Sequence, residues 1–173
     1  MNAVKSFVAA LLLAAVPAAD AVPTALAGET LDRRQLMIPR DLREGPVLLI
    51  VGFSRASSAA TGGWSRAVAA DAAIAGEAAV YRVAVIAGAP PLVRGFVARQ
   101  MRRGIPPALH GSSVLVTAQE DAWKRWVAFS DPDAAYVLLL DRARDVAWRA
   151  QGGVDAAALE ALRAAIGRMG DAP

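Results

Sequence analysis

Residues Pro46-Val47-Leu48-Leu49-Ile50-Val51-Gly52-Phe53 constrain this chain more than any other stretch. The run is apolar throughout and too short for a surface helix. Gly45-Pro46 bounds it on one side and the serine-rich Ser54-Arg55-Ala56-Ser57-Ser58 on the other. It therefore reads as a strand covered on both faces. A strand of that kind belongs in the middle of a sheet with helices on each side. The turn after it opens a helix near Ser57, and strand-to-helix turns commonly carry chemistry. This turn holds no cysteine, lysine or histidine.

The elements around that strand follow from pattern. Gln35-Leu36-Met37-Ile38-Pro39 reads as a short edge strand or an extended lead-in, because Pro39 cannot donate to a central ladder. Ser57 or Ser58 caps a helix that runs to about Ala75, with Trp64, Val68 and Ala72 inward and Gly76 as its stop. Gly62-Gly63 is the weak point of that helix. A second strand covers 79–86. A helix over 92–103 has Leu92, Val93, Phe96, Val97 and Met101 on one face, read as core. Arg94, Arg99, Arg102 and Arg103 lie largely on the other.

Residues 113–116 form a short strand. Thr117 and Glu120 have capping-box spacing for a helix through Phe129, with Trp123, Trp126 and Val127 inward. Residues 136–140 and 146–150 make a hairpin around the turn 141–145. Asp155 caps a last helix whose core face is Leu159, Leu162 and Ile166. The order predicts an α/β domain with a central mixed β-sheet flanked by helices.

Residues 1–27 read as a signal peptide and short leader, leaving 28–173 as a single domain. Lys5 supplies a positive start, and 7–16 is apolar but too short to span a bilayer at ~20 residues per helix. Pro17 breaks the run. Ala19-Asp20-Ala21 is an A-x-A cleavage pattern, with Ala25-Leu26-Ala27 as a second choice. The expected location is the bacterial periplasm or the cell exterior. Cysteine is absent, which excludes disulfides, thiolate nucleophiles and thiolate metal sites. A single histidine argues against most zinc sites. No metal or other cofactor is expected. The net charge of +3 rests on arginines spread along the chain, so nucleic acid is not an expected partner.

The element order, with its terminal hairpin and helix, resembles the thioredoxin-like superfamily. Residues 38–42 and 47–53 resemble the lead-in of exported peroxiredoxin-like and thioredoxin-like proteins. The stretch from Met101-Arg102-Arg103-Gly104-Ile105-Pro106 through His110 is similar to the mitochondrial ATP-synthase assembly factor family and its exported bacterial relatives. So are Tyr136-Val137-Leu138-Leu139-Leu140-Asp141 and Ala147-Trp148-Arg149-Ala150-Gln151-Gly152. The resemblance implies a thioredoxin-like fold and a role in assembling a membrane complex. A redox thioredoxin carries Cys-x-x-Cys where this chain has Ser54-Arg55-Ala56-Ser57-Ser58, and a cis-proline where this chain has Ala135. Thiol–disulfide exchange needs a thiolate, so that activity does not carry over.

Two constellations remain as candidate sites. Arg55, Ser57, Ser58 and His110 are candidates for an anion or ligand site at the helix start, where free N–H groups and the dipole favour negative charge. A hydrolase pair of Ser57, Ser58 or Thr61 with His110 lacks a G-x-S-x-G elbow, so cap and turn roles are the plainer reading. His110 reads most simply as a loop histidine with a structural hydrogen bond. Arg94, Arg99, Arg102 and Arg103 form the candidate partner surface, for an acidic protein of an envelope or membrane complex or for an anionic membrane surface. Asp141 and Asp145 flank two arginines and read as mutually neutralised rather than metal-binding. The expected function is an exported non-redox binding or assembly module. The alternative is a non-thiol enzyme or anion-binding protein using the Ser54–Ser58 turn.

Overall fold

A computed structural model of the chain describes residue 23 and residues 25–170. Of the signal peptide and leader expected over 1–27, residues 1–22 and residue 24 lie outside the described residues. Seven strands form one mixed sheet: β1 (Leu26–Thr30), β2 (Gln35–Ile38), β3 (Val47–Gly52), β4 (Ala79–Val85), β5 (Ser113–Val116), β6 (Tyr136–Leu140) and β7 (Val146–Gln151). Their order across the sheet is β2-β1-β5-β4-β3-β6-β7. β3, β4 and β5 run parallel, and the outer pairings are antiparallel. The helices are α1 (Ser58–Ala70), α2 (Ala72–Glu77), α3 (Pro91–Gly104), α4 (Glu120–Trp126) and α5 (Ala156–Gly170).

The apolar run behaves as its composition requires. Val47 to Val51 are each 0 % exposed, because β3 lies between β4 and β6 and carries packing on both faces. One face holds Leu49, Val51, Val83 and Val85 against Trp123 and Trp126 of α4. The other holds Leu48, Ile50, Val137 and Leu139 against Trp64 and Val68 of α1 and Leu162 and Ile166 of α5. Trp64 also donates its indole N–H to Gly152 O at 3.0 Å, which ties α1 to the end of β7. At the start of α5, Asp155 accepts the Ala158 N–H at 2.7 Å, as its cap position requires.

Several local expectations are corrected. β1 begins at Leu26, inside the segment read as leader, and its Leu-Ala-Gly-Glu-Thr sequence has low strand propensity. Pairing on both edges, with β2 and β5, imposes the strand. The first helix is broken at Asp71, whose backbone is extended and whose carboxylate caps α2 by accepting from Ala73 and Ile74 N–H. Gly76 therefore lies inside α2 and is not a stop. Ser57 stands at the N-cap of α1 but makes no side-chain cap bond. The capping box at Thr117 and Glu120 does not form. Gln119, with φ 58°, precedes α4 instead, and α4 ends at Trp126 rather than Phe129. The Gln119 side chain accepts the Ala27 N–H at 2.9 Å, joining α4 to β1.

The largest correction concerns α3. Its expected core face is not in the core: no α3 residue is buried, and Leu92 is 89 % exposed. Arginines hold the helix in place of apolar packing. Arg94 donates to Ala87 O and Ala89 O at 2.6 Å each and to Thr117 O at 3.2 Å. Arg102 donates to Leu31 O at 2.9 Å and lies 3.7 Å from Glu29. These contacts turn Arg94 and Arg102 inward and leave the opposite stripe of the helix outside.

Candidate functional site

The end of β3 and the start of α1 meet in the turn Ser54-Arg55-Ala56-Ser57. Ser54 Oγ accepts the Ser57 N–H at 3.0 Å, and Ser57 Oγ donates to Ser54 O at 2.8 Å. Ser54 Oγ also donates to Asp133 Oδ1 at 2.9 Å, which joins this turn to the loop before β6. Ser57 is 1 % exposed, and its hydroxyl is used by the turn itself. The turn folds tightly against the strand end, since a Cβ on Gly52 would stand 2.6 Å from Ser57 Oγ. Behind it, Phe53 packs edge-on to Phe129 and Tyr136, with ring centroids 4.8 and 5.7 Å away. Ala135 is buried just before β6.

Beside the turn, α1 and α3 stand apart over β4 and leave a cleft of about 780 Å³. That volume is in the usual range for small-ligand sites. Ser57, Ser58, Thr61 and Gly62 form the α1 wall. Val93, Phe96, Val97, Gln100 and Met101 form the α3 wall, and Ile50, Gly52, Arg82 and Ala84 lie beneath. Arg55 is exposed at the mouth. The lining is chiefly apolar, and one cation sits within it.

That cation is Arg82, in the middle of β4 and paired across the ladder with Ile50 and Ser113. β4 is the central strand of the seven. Arg82 is half-buried, and desolvation holds its guanidinium pKa below the usual arginine value. Among the described residues its side chain makes no hydrogen bond or ion pair. Sequence pattern alone absorbs Arg82 into a strand. The signal was available: a lone charge inside the apolar stretch Val80-Tyr81-Arg82-Val83-Ala84-Val85.

The other candidates do not converge. Arg55, Ser57 and Ser58 line the cleft, but His110 is not part of its lining. The His110 Nε2 is 2.8 Å from Ile105 O, a structural hydrogen bond within the loop after α3. Ser57, Ser58 and Thr61 therefore do not have His110 beside them as a base, and Thr61 Oγ1 is itself bonded to Ser57 O at 3.1 Å. Arg94 and Arg102 are held by backbone carbonyls, so the partner surface of four solvated arginines is not formed. Arg99 and Arg103 are exposed. They continue the line of Leu92 and Phe96, at spacings of four, three and four residues along α3, so the four side chains form one outward stripe. Among the described residues, no cluster of three or more His, Asp or Glu side chains could hold a metal ion.

Solved thioredoxin-like proteins share this overall fold. The N-terminal domain of PilB from Neisseria gonorrhoeae matches with a TM-score of 0.54 at 19% identity, covering 84% of this chain and 89% of that one. The exposed lipoprotein thioredoxin of Streptococcus pneumoniae matches with a TM-score of 0.56 at 10% identity, covering 83% and 98%. A putative thiol:disulfide interchange protein DsbE from Chlorobium tepidum matches with a TM-score of 0.56 at 16% identity, covering 84% and 92%. The chain has a thioredoxin-like fold. No family model and no curated sequence matches it. Ser54 and Ser57, which have the spacing of a Cys-x-x-Cys, are linked here by hydrogen bonds through their hydroxyls. Among the described residues, no helix is long and apolar enough to cross a membrane.

Proposed function

We propose that the protein is an exported, non-redox binding module that docks a partner in an envelope or membrane complex through the outer stripe of α3. The observation that carries the reading is the outward stripe Leu92, Phe96, Arg99 and Arg103. Leu92 and Phe96 are 89 % and 57 % exposed, and the two arginines follow on the same side. Large apolar side chains presented together on a helix are a common basis of protein recognition. The cationic half of the stripe favours a partner with an acidic patch beside an apolar groove. Export is supported by Lys5, the short apolar run over 7–16 and the Ala19-Asp20-Ala21 pattern. The likeness of residues 101–106, His110, 136–141 and 147–152 to the ATP-synthase assembly factors supports an assembly role by analogy. The absence of any cysteine removes thiol–disulfide exchange from the possible activities.

Photocrosslinking in the exporting cell tests the reading. A benzophenone residue in place of Leu92 or Arg99 is expected to form a discrete adduct with a subunit of an envelope or membrane complex. The same residue in place of Glu160, exposed on α5, is expected not to. Equal labelling from all three positions, or no adduct from α3, would count against the docking role.

A further inference from the structure

We infer that the cleft between α1 and α3 binds a long-chain carboxylate, with Arg82 taking the head group and the inner side of α3 covering the tail. This goes beyond partner docking, which uses the outer stripe of the same helix. Three observations carry it.

The first is charge. Arg82 lies half-buried on the central strand with no carboxylate or carbonyl partner among the described residues. A guanidinium in such a place is poorly solvated and unpaired, so an incoming carboxylate replaces lost hydration with charge-assisted hydrogen bonds. Arg94, Arg102 and Arg163 are by contrast already engaged, the first two by carbonyls and the third by Asp71 and Glu160. The carboxylate of Glu120, at the cleft rim beside Gly88, is held 2.7 Å from Lys124. Arg55 at the mouth adds a second positive charge on the path of an entering anion.

The second is the wall. Val93, Val97 and Met101 give α3 an apolar inner and flanking side, with Phe96 only at its rim, and no α3 residue is buried. An acyl chain laid along them would cover surface that the sheet leaves open. The third is that two of the hydroxyls lining the cleft are already engaged. The hydroxyls of Ser57 and Thr61 are spent on backbone carbonyls. One guanidinium fork pairs a carboxylate through two parallel bonds, which leaves the rest of the ligand to the apolar wall. The volume of about 780 Å³ accommodates a chain of lipid size.

Isothermal titration of the purified protein with dodecanoate, kept below its micelle-forming concentration, tests the inference. Acetate lacks the tail, and dodecyltrimethylammonium carries the opposite charge. The expected result is one saturable dodecanoate site and no saturable binding of the other two probes. Arg82→Met is expected to weaken dodecanoate binding about tenfold or more. Its melting transition reports whether the fold survives. Val97→Trp narrows the cleft from α3, leaves Arg82 in place, and is expected to weaken binding to a similar extent. Absence of saturable dodecanoate binding, equal binding of the cation, or wild-type affinity in both variants overturns the inference.

Discussion

Replacing Arg94 with alanine should loosen α3 while leaving the rest of the domain folded. The guanidinium gathers Ala87 O and Ala89 O at 2.6 Å each and Thr117 O at 3.2 Å, closing the β4–α3 turn onto the chain that leaves β5. A hydrogen bond from a charged donor contributes ~1.5–3 kcal/mol net. The freed carbonyls belong to turns that water can reach, so the lower end applies to the two short bonds, and the exposed third bond adds little. The loss is then about 3 kcal/mol, or roughly 100-fold in the opening equilibrium of the helix. Because no α3 residue is buried, little apolar packing opposes that opening, and it should be local. Amide hydrogen exchange reads it directly. Residues 91–104 should exchange roughly 100-fold faster in Arg94→Ala, while α1 and α5 change only slightly. Arg94→Lys, which reaches fewer carbonyls at once, should fall between. Unchanged exchange in α3, or an equal acceleration in α1 and α5, would refute the reasoning.

Three further outcomes follow from the geometry. Ser54→Cys with Ser57→Cys should give an intramolecular disulfide on oxidation and detectable thiol–disulfide exchange, because the pair sits at a helix N-terminus with the required spacing; mass spectrometry showing only intermolecular disulfides would contradict this. The Arg163 guanidinium, bonded to Asp71 at 2.6 Å, holds the Asp71 carboxyl below its ordinary pKa of 3.8. That contact stabilises the fold fully above pH 3.8 and is lost as pH falls through the lowered value, so Asp71→Asn should flatten the acid limb of the stability–pH curve in urea titrations. Finally, cleavage after Ala27 would remove Leu26 and Ala27 from β1, where they pair with Ile38 and Met37. N-terminal sequencing of the exported protein should therefore read Val22, and a start at Gly28 would contradict the expectation.

Much of this fold could be read from residue order because its central strands are unambiguous. Val47 to Val51 and Tyr136 to Leu140 are apolar at every position, and burial on both faces follows from that alone. β1 could not be read, because Leu-Ala-Gly-Glu-Thr forms a strand only through its neighbours β2 and β5. The periodicity of α3 was visible but assigned to the wrong side. Hydropathy places Leu92 and Phe96 inward, whereas the fold turns Arg94 to the carbonyls of the β4–α3 turn and of Thr117, and Arg102 to that of Leu31. Arg144 behaves in the same way. It takes a positive φ of 74° in the β6–β7 turn and donates to Gly45 O, Leu42 O and Arg43 O. Arginines that look like a solvated surface in the sequence act here as clamps on backbone oxygens, using their several donors at once. Of the candidate site, the serine turn was read in place. His110 was not part of it, and Arg82 went unnoticed because strand membership masked its charge.

A crystal structure of the protein grown with dodecanoate bears most directly on the claim that binding is centred on α3 and the cleft beneath it. The account predicts a carboxylate within hydrogen-bond reach, ~2.7–2.9 Å, of the Arg82 guanidinium. The acyl chain should lie against Val97 and Met101, with Leu92 and Phe96 still facing outward. A structure in which Leu92 and Phe96 pack down over β4, the cleft is filled by the protein's own side chains and Arg82 has a carboxylate partner within the chain would contradict it.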